Sequence, residues 1–293
     1  MAASDSDPAA RALAVLRLEI DAIDNAIHDL LIGRAEIVDR VATAKGRGGA
    51  GRPAPLFRGG REASILRRLA ARNRKPLPMD TVFGVWREII AGLTRIQGDF
   101  GILAYAPAGN DRCLDLARAH FGSRGSLQKS ASIAAALAAL KKGRVQLAVL
   151  PLPGEEPRTE RGWWRQLGGR DGLQILARLP FLAGRAAEGV IVGRQAFDAS
   201  GDDRGYIAIG SKAKIAPARL RAALAKAGLS PVGVPARIEE KLARGRVVQY
   251  LLVEIGTWAA PDDARLRSLA AALGGAQVRS LGGYARPLAA KRK

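Results

Sequence analysis

Two cations on one stretch of the chain, Arg34 and Lys45, have the type and spacing to hold a small dianion. From about Leu13 to Lys45, apolar residues recur in steps of three and four with one seven-residue gap, which is the period of a helix. Arg34 lies seven residues after Ile27, at a position of this apolar stripe, and Lys45 follows eleven residues later, almost three whole turns. Their Cα atoms would be ~16 Å apart, so two long side chains could close on one ligand between them.

A third cation on the same stretch, Arg17, points to a second chain. It precedes Arg34 by seventeen residues, or ~25 Å along the helix axis, so one helix cannot bring both to the same ligand. A helix of this length would measure roughly 50 Å, too long to be covered by the rest of a small three-helix domain. The stripe therefore predicts a partner subunit along the helix, and in an antiparallel dimer Arg17 of one chain could complete the site of the other.

Two further helices are predicted at about Arg61–Ala71 and Thr81–Gln97. Residues 46–60 precede them and contain six glycines and two prolines, which predicts a segment without regular structure. Because this segment lies beside Lys45 and Arg61, it could also act as a mobile loop that closes over a ligand.

Four segments in this part of the chain carry a family resemblance. They are LRLEIDAID, GRAEIVDRVATAK, REASILRRL and WREIIAGLTRIQ, and they resemble the all-helical (type II) class of chorismate mutases in order and spacing over residues 10–99. The resemblance implies a three-helix intertwined homodimer that rearranges chorismate to prephenate at active sites shared between two chains. It implies no metal and no cofactor.

The resemblance also implies a role for each member of a set of side chains. Carboxylates of the substrate would be bound by Arg34, Arg61 and Arg17 of the partner subunit, the ether oxygen by Lys45 and Gln97, and the substrate hydroxyl by Glu62. Two positions depart from the commonest pattern, because Arg58 replaces an acidic or polar residue and Leu93 replaces a small hydroxyl residue. Both would be secondary contacts to the substrate.

After residue 100 the pattern changes to short apolar runs that alternate with helices, at Gly101–Tyr105, Asp111–Phe121, Ser132–Lys141 and Val145–Leu150. This alternation predicts a small α/β layer with a parallel sheet. The segments AYAPAGNDRCLDLARAHFG and AVLPLPGE are similar to the first lobe of prephenate dehydratases.

The dehydratase resemblance is incomplete. Only about fifty residues separate Pro153 from Arg204, too few for the second lobe of that family. The Thr-Arg-Phe triplet of the dehydratases reads Glu188-Gly189-Val190 here, and the polar substrate-binding turn reads Leu152-Pro153-Gly154. We therefore expect dehydratase chemistry to be lost. Trp163-Trp164 is predicted to pack where the lobe is missing, with an exposed partner-binding patch as the alternative.

From residue 204 onward, the order strand, helix, strand, strand, helix, strand predicts a ferredoxin-like sandwich. Its ending, VRSLGGYARPL, is similar to the last strand of the regulatory ACT domain. The effector-binding motifs of that domain are not recognisable, so structural dimerisation is favoured over phenylalanine binding. The predicted organisation is multidomain α and α/β, with a disordered N-terminus (1–9), the helical mutase domain (10–99), the truncated dehydratase-like region (101–203), an ACT-like domain (204–288) and a basic tail (289–293).

Composition limits the other function classes. The net charge of +20 divides into +4 for residues 1–100 (16 Lys/Arg, 12 Asp/Glu) and +16 for residues 101–293 (31 and 15). These charges are mostly scattered, and aromatic residues make up only 5% of the chain, so nucleic-acid binding is not predicted. One cysteine and two histidines give no metal-ligand spacing. With no apolar run of ~20 residues and no signal-peptide pattern, we expect a cytoplasmic protein that does not bind membranes.

The favoured interpretation is a chorismate mutase, an isomerase of phenylalanine and tyrosine biosynthesis. Two alternatives stay open. One is a bifunctional chorismate mutase/prephenate dehydratase, and the other is a non-catalytic regulator that keeps the mutase fold. A polyanion-binding protein is the least favoured interpretation.

Overall fold

The computed structural model describes residues 8–47, 55, 57–98, 101–122, 126–169, 172–184, 188–241 and 247–289, with the side chains of 45–47 left out. These residues form two compact units. The first comprises the described residues within 1–54 and 93–98, and the second those within 55–92 and 99–293. The predicted disordered N-terminus, apart from residues 8 and 9, and the basic tail, apart from residue 289, lie outside the described residues.

The predicted first helix is confirmed and is longer than expected: α1 runs from Pro8 to Arg47. Between residues 8 and 44 no side chain is buried. The apolar residues of the stripe, from Leu13 to Val41, are between two fifths and three quarters exposed, the extremes being Val41 at 42% and Leu30 at 75%. The periodic stripe that would normally form one wall of a core is thus open along the whole helix.

The second and third helices are confirmed as α2, Gly59–Arg72, and α3, Met79–Gln97. The prediction that residues 46–60 lack regular structure is wrong at both ends, since residues 46 and 47 end α1 and Gly59 and Gly60 begin α2. Most of the intervening segment, and with it the proposed mobile loop, lies outside the described residues.

Helix α2 and the beginning of α3 pack against the α/β part of the second unit. Their buried side chains Leu66 and Phe83 form one cluster with Phe181, and the rings of Phe83 and Phe181 stack at 6.2 Å between centroids. Arg67 lies over the face of Phe181, with its Cζ atom 5.6 Å from the ring centroid. Residues within the predicted mutase and dehydratase-like domains therefore share one hydrophobic core.

In the described part of the chain, nine strands form one sheet in the order β2-β1-β3-β5-β4-β9-β6-β8-β7. The strands and the helices between them are β1 (Ile102–Tyr105), α4 (Arg112–Phe121), β2 (Leu127–Ser130), α5 (Ile133–Lys141), β3 (Leu147–Pro151), β4 (Gln174–Leu179), β5 (Gly189–Gly193), β6 (Asp203–Ser211), α6 (Pro217–Lys226), β7 (Pro231–Lys241), β8 (Val247–Ile255), α7 (Ala264–Ala272) and β9 (Gln277–Ala285).

The ferredoxin-like prediction is confirmed, because β9-β6-β8-β7 is antiparallel throughout and carries α6 and α7 on a shared core. The prediction of a parallel sheet for residues 101–203 holds only in part. Strands β1, β2 and β3 are parallel, but β5 pairs antiparallel with both β3 and β4. Strand β4 meets β9 through the pair Ile175 and Gly282, so residues 101–203 and 204–288 contribute to a single sheet.

Trp163 and Trp164 lie inside the core of this unit, exposed by 3% and 0%. The prediction that they fill space left by the shortened chain is consistent with this burial, and the alternative of an exposed partner-binding patch is wrong. Strands β2, β4 and β5 were not predicted. Strand β2 is only four residues long and half exposed, so it has no apolar run that the sequence could show.

Candidate active site

The first group of candidate residues lies in the unit that contains α1. Arg17 is exposed, Arg34 is half-buried, and Gln97, at the end of α3, is also half-buried. Lys45 belongs to the last turns of α1, and its side chain is outside the described residues. Because α1 is one continuous helix, Arg17 and Arg34 are held ~25 Å apart along its axis. One chain cannot bring both to a single small ligand.

The second group, Arg58, Arg61 and Glu62, lies at the start of α2 in the other unit. This helix has no cap of its own, because its N-cap residue Arg58 makes no side-chain hydrogen bond to the helix. A carboxylate from far along the chain takes that place. Asp198 accepts a hydrogen bond from the backbone N–H of Arg61 and another from Nη2 of Arg58, both at 3.0 Å.

Glu62 points into a buried cluster. Its carboxylate pairs with Nη1 of Arg87 on α3, and Nε2 of His120 on α4 lies 3.3 Å from its Oε2 atom. Nη1 of Arg87 is 3.5 Å from the same imidazole nitrogen. The structure thus joins α2, α3 and α4 through three ionisable side chains that are each nearly inaccessible to solvent.

The electrostatics of this cluster favour an ionised carboxylate beside a neutral imidazole. Burial alone would raise the pKa of Glu62, but the hydrogen bond from His120 and the charge of Arg87 outweigh it, so the pKa lies below its ordinary value. Burial and the charge of Arg87 lower the pKa of His120 below its ordinary value, and Glu62 only partly offsets them. A neutral ring with its proton on Nε2 would donate to Glu62.

A small enclosed cavity adjoins this cluster. Its volume is about 20 Å³, and Phe57, Leu176, Arg178 and Phe181 line it together with the three ionisable groups. That is room for about one water molecule. The cavity in this conformation is therefore too small for an organic substrate.

The positions compared with dehydratase motifs in the sequence make packing and ion-pair contacts in the structure. Glu188 pairs with Arg178 at 2.6 Å, and Val190 is fully buried within β5. In the turn after β3, a side chain at Gly154 would meet the carbonyl oxygen of Pro235 on β7 at 2.6 Å, and the N–H of Gly154 is already bonded to Glu156. The turn thus lies in close contact with the ferredoxin-like part of the sheet at Gly154.

A second buried polar cluster lies near the junction of β4 and β9. Tyr284 donates to Oε1 of Glu254, and Nη1 of Arg204 and Nη1 of Arg178 lie 3.3 and 3.8 Å from the same oxygen. Arg178 also binds Glu188. Two arginines shared between two carboxylates keep this cluster close to electrically neutral, which is the condition for burying it.

Sequence reasoning missed Arg87, His120 and Asp198. Arg87 carried a detectable signal, because it lies between Phe83 and Ile90 on the buried stripe of α3, where an apolar residue is expected. Asp198 carried none, since its partners lie more than 130 residues away in sequence.

Within the described ranges, no three or more His, Cys, Asp or Glu side chains converge in a metal-like cluster. In the same residues, no helix is both long enough and apolar enough to cross a membrane.

The helical part of the chain matches the model of a known family. The chorismate mutase type II family model matches residues 16–98. This match spans most of α1, all of α2 and all of α3, so the resemblance of the helical part is confirmed. It covers both groups of candidate residues.

A curated relative extends the likeness beyond the helices. The chain is 28% identical over 141 residues to a bifunctional chorismate mutase/prephenate dehydratase of Pseudomonas aeruginosa, which covers 48% of this chain and 38% of the relative. The match therefore spans well under half the length of that protein. Among solved structures, a prephenate dehydratase from Streptococcus mutans is 14% identical with a TM-score of 0.45, over 64% of this chain and 98% of that one. A protein described as GqqA, a novel type of quorum quenching acylase, is 19% identical with a TM-score of 0.44, over 64% and 94%.

Proposed function

We propose that this protein is a chorismate mutase that converts chorismate to prephenate. The observation that carries the proposal is α1, whose apolar stripe is exposed along its length and is interrupted by Arg34 with Arg17 and Lys45 on either side. An open stripe of this length needs a partner. The cations on it suit a ligand with two negative charges.

The active unit is a homodimer with two shared sites. A partner α1 laid antiparallel along the stripe would bring Arg17 of the partner subunit toward Arg34 and Lys45. The first turn of α2 would contribute Arg58 and Arg61, which together with Arg34 hold the two substrate carboxylates. Bidentate guanidinium–carboxylate pairing fixes both the position and the orientation of such a ligand.

The reaction is a unimolecular pericyclic shift, so it requires neither a nucleophile nor a general base. The protein needs to hold the compact conformer of chorismate and to place positive charge where the breaking ether bond gains electron density. We assign that role to Lys45, with Gln97 as a second donor to the ether oxygen. Glu62, predicted as the acceptor for the substrate hydroxyl, is buried against Arg87 and His120 and is therefore not assigned a substrate contact. A millionfold acceleration corresponds to ~8 kcal/mol, which preorganised charges around a desolvated dianion can supply.

We infer that the reaction stops at prephenate. The positions that would carry elimination chemistry hold Glu188 in an ion pair and Val190 in the core. The turn from Leu152 to Gly154 is packed against β7.

The direct test is a chorismate assay on the purified chain, with prephenate and phenylpyruvate separated by chromatography at neutral pH. We expect loss of chorismate and accumulation of prephenate. Phenylpyruvate formed faster than in enzyme-free controls would contradict the single activity, and no loss of chorismate would contradict the proposed function itself.

The shared site has its own test, in which an Arg17→Ala chain is mixed with an Arg34→Ala chain. Random reassembly gives heterodimers in which one site carries both substitutions and the other carries neither. Half of the dimers then have one intact site, so activity should recover to about a quarter of wild type by mass action. Heterodimers that are detected by mass spectrometry and stay inactive would contradict the intertwined arrangement.

A further inference from the structure

The first turn of α2 cannot hold its shape by itself. It begins with Gly59 and Gly60, each of which costs about 1 kcal/mol relative to alanine in a helix, and it has no local side-chain cap. This same turn carries Arg61 and follows directly on Arg58. Residues assigned to the substrate therefore lie on a weak helix start, and something outside the helix must order it.

The glycines serve a close approach to another part of the chain. A Cβ atom on Gly60 would lie 2.3 Å from the carbonyl oxygen of Asp198 and 2.6 Å from that of Ala199. A Cβ on Gly59 would lie 3.0 Å from the carbonyl oxygen of Leu176. No other residue type fits at Gly60 without moving this backbone, so the glycine pair is the contact surface on which α2 docks.

The segment that follows β5, residues 194–202, also forms hydrogen bonds with this turn. Gln195 donates to the carbonyl oxygen of Phe57 at 2.9 Å, just before the helix. Asp198 then accepts from the backbone N–H of Arg61 and from the side chain of Arg58. The Asp198 carboxylate thus caps α2 and also binds the guanidinium of Arg58, which lies just before the helix.

We propose that Asp198 is a positioning residue for the mutase site: it caps α2 from the 194–202 segment and fixes the turn that presents Arg58 and Arg61. This inference rests on the proposed function and adds to it a dependence of the helical site on the α/β part of the chain. Asp198 is four-fifths buried and touches Arg58 on one side only, so the other guanidinium N–H groups can reach a ligand. The α/β part acts as a scaffold for the site and contributes no reacting group.

The same segment supplies a matched control residue. Asp202 also contacts α2, through Arg67 at 3.6 Å, and it pairs with Arg286 at 3.3 Å. Arg67 lies almost two turns beyond Arg61. Loss of the Asp202 carboxylate should therefore weaken the docking of α2 without releasing its first turn. For the glycine pair the control is Gly84 on α3, where an added Cβ meets nothing within 4 Å.

The test compares Asp198→Ala and Gly60→Ala with Asp202→Ala and Gly84→Ala in the full-length chain. Arginines that hold substrate carboxylates bind ground state and transition state alike, so their misplacement raises KM and leaves kcat nearly unchanged. We expect KM for chorismate to rise about fivefold in the first pair, the ratio that corresponds to one lost helix cap. In the control pair we expect KM to stay within about twofold of wild type. Hydrogen exchange at the amides of residues 61–63 should accelerate in the first pair only.

Several outcomes would overturn the inference. One is an unchanged KM in a folded Asp198→Ala protein, and another is an equal rise of KM in Asp202→Ala, which would indicate general destabilisation. If Asp198→Ala fails to fold, Asp198→Asn keeps the volume and one acceptor oxygen, and it should show a smaller rise in KM together with a smaller acceleration of exchange. A wild-type chain that does not convert chorismate overturns the proposed function and this inference with it, whereas an active wild type with unaffected Asp198 variants overturns the inference alone.

Discussion

Helices α1 and α2 belong to the same mutase-type region, yet they reach opposite ends of the burial scale. Between residues 8 and 44, α1 buries no side chain, while α2 buries Gly60, Glu62, Ala63 and Leu66. Both have an apolar stripe with helical period. The difference is what covers the stripe: α2 lies on the α/β part of its own chain, whereas the stripe of α1 is exposed to solvent in the described chain. Amphipathicity shows that a helix has a face to cover, but it does not identify the partner.

A substitution at Lys45 on α1 gives the sharpest test of the proposed chemistry. Lys45→Ala should lower kcat by about 10²–10³, which is ~3–4 kcal/mol of lost transition-state stabilisation, because the ammonium faces charge that develops only during the reaction. Steady-state kinetics measure the effect, and melting temperature should not change. Arg40→Ala, an exposed cation on the same helix, is the control. A rise in KM with unchanged kcat would contradict the assigned role.

The converse substitution on α2 should affect stability. Leu66 is fully buried between α2, α3 and Phe181, so Leu66→Ala should cost about 3 kcal/mol of unfolding free energy through lost transfer energy and the cavity left behind. Denaturant melts measure it. Leu18→Ala on α1, at a side chain that is 68% exposed, should change stability by less than about 0.5 kcal/mol. Equal effects at both positions would remove the distinction between the two helices.

Charged substitutions on α1 test which face of the helix forms the proposed dimer interface. Ile27→Glu places a carboxylate on the stripe and should weaken the dimer by ~2 kcal/mol, roughly thirtyfold in its dissociation constant. Leu18 lies nine residues earlier, two and a half turns away and so on the opposite face, and Leu18→Glu should leave the dimer intact. Sedimentation equilibrium distinguishes the two. Dissociation by Leu18→Glu instead would place the interface on the other side of the helix.

The smallest effect concerns pH. The pKa of His120 lies below its ordinary value of 6.5. As the pH falls below about 6.5, the imidazole is therefore protonated in the unfolded chain before it is protonated in the folded chain. Stability is therefore fully present above about pH 6.5 and falls as the pH is lowered from there. Glu62, with its pKa below the ordinary 4.5, adds a loss in the same direction below about pH 4.5.

The chain offers a clean control for this titration, since its two histidines are His120 and His28, and His28 is exposed on α1. His120→Gln keeps a donor toward Glu62 and should flatten the melting temperature between pH 5 and 7. His28→Gln should leave the slope unchanged. The shift is expected to be smaller than that of Leu66→Ala, and an unchanged slope in His120→Gln would show that the buried cluster does not control it.

The sequence by itself determined the features that depend on near neighbours. Helical periods of three and four residues located α1, α2 and α3, and the order of strands and helices after residue 203 determined the ferredoxin-like topology, because local backbone geometry is set within a few residues. The cations Arg17, Arg34 and Lys45 could be identified because the helical period gives the position of each one along α1. The same logic would have found Arg87 on the stripe of α3.

Only the tertiary structure decided which distant segments meet. That Asp198 caps α2, that Gly60 is the point of closest approach, and that His120 reaches Glu62 are contacts between residues 58 or more positions apart. Sequence periodicity cannot predict these long-range contacts, because their energies depend on the packing of the whole unit and not on neighbours along the chain. The joining of β4 to β9 into one sheet is of the same kind: each strand can be described alone, but its neighbour is chosen by the core that both must cover.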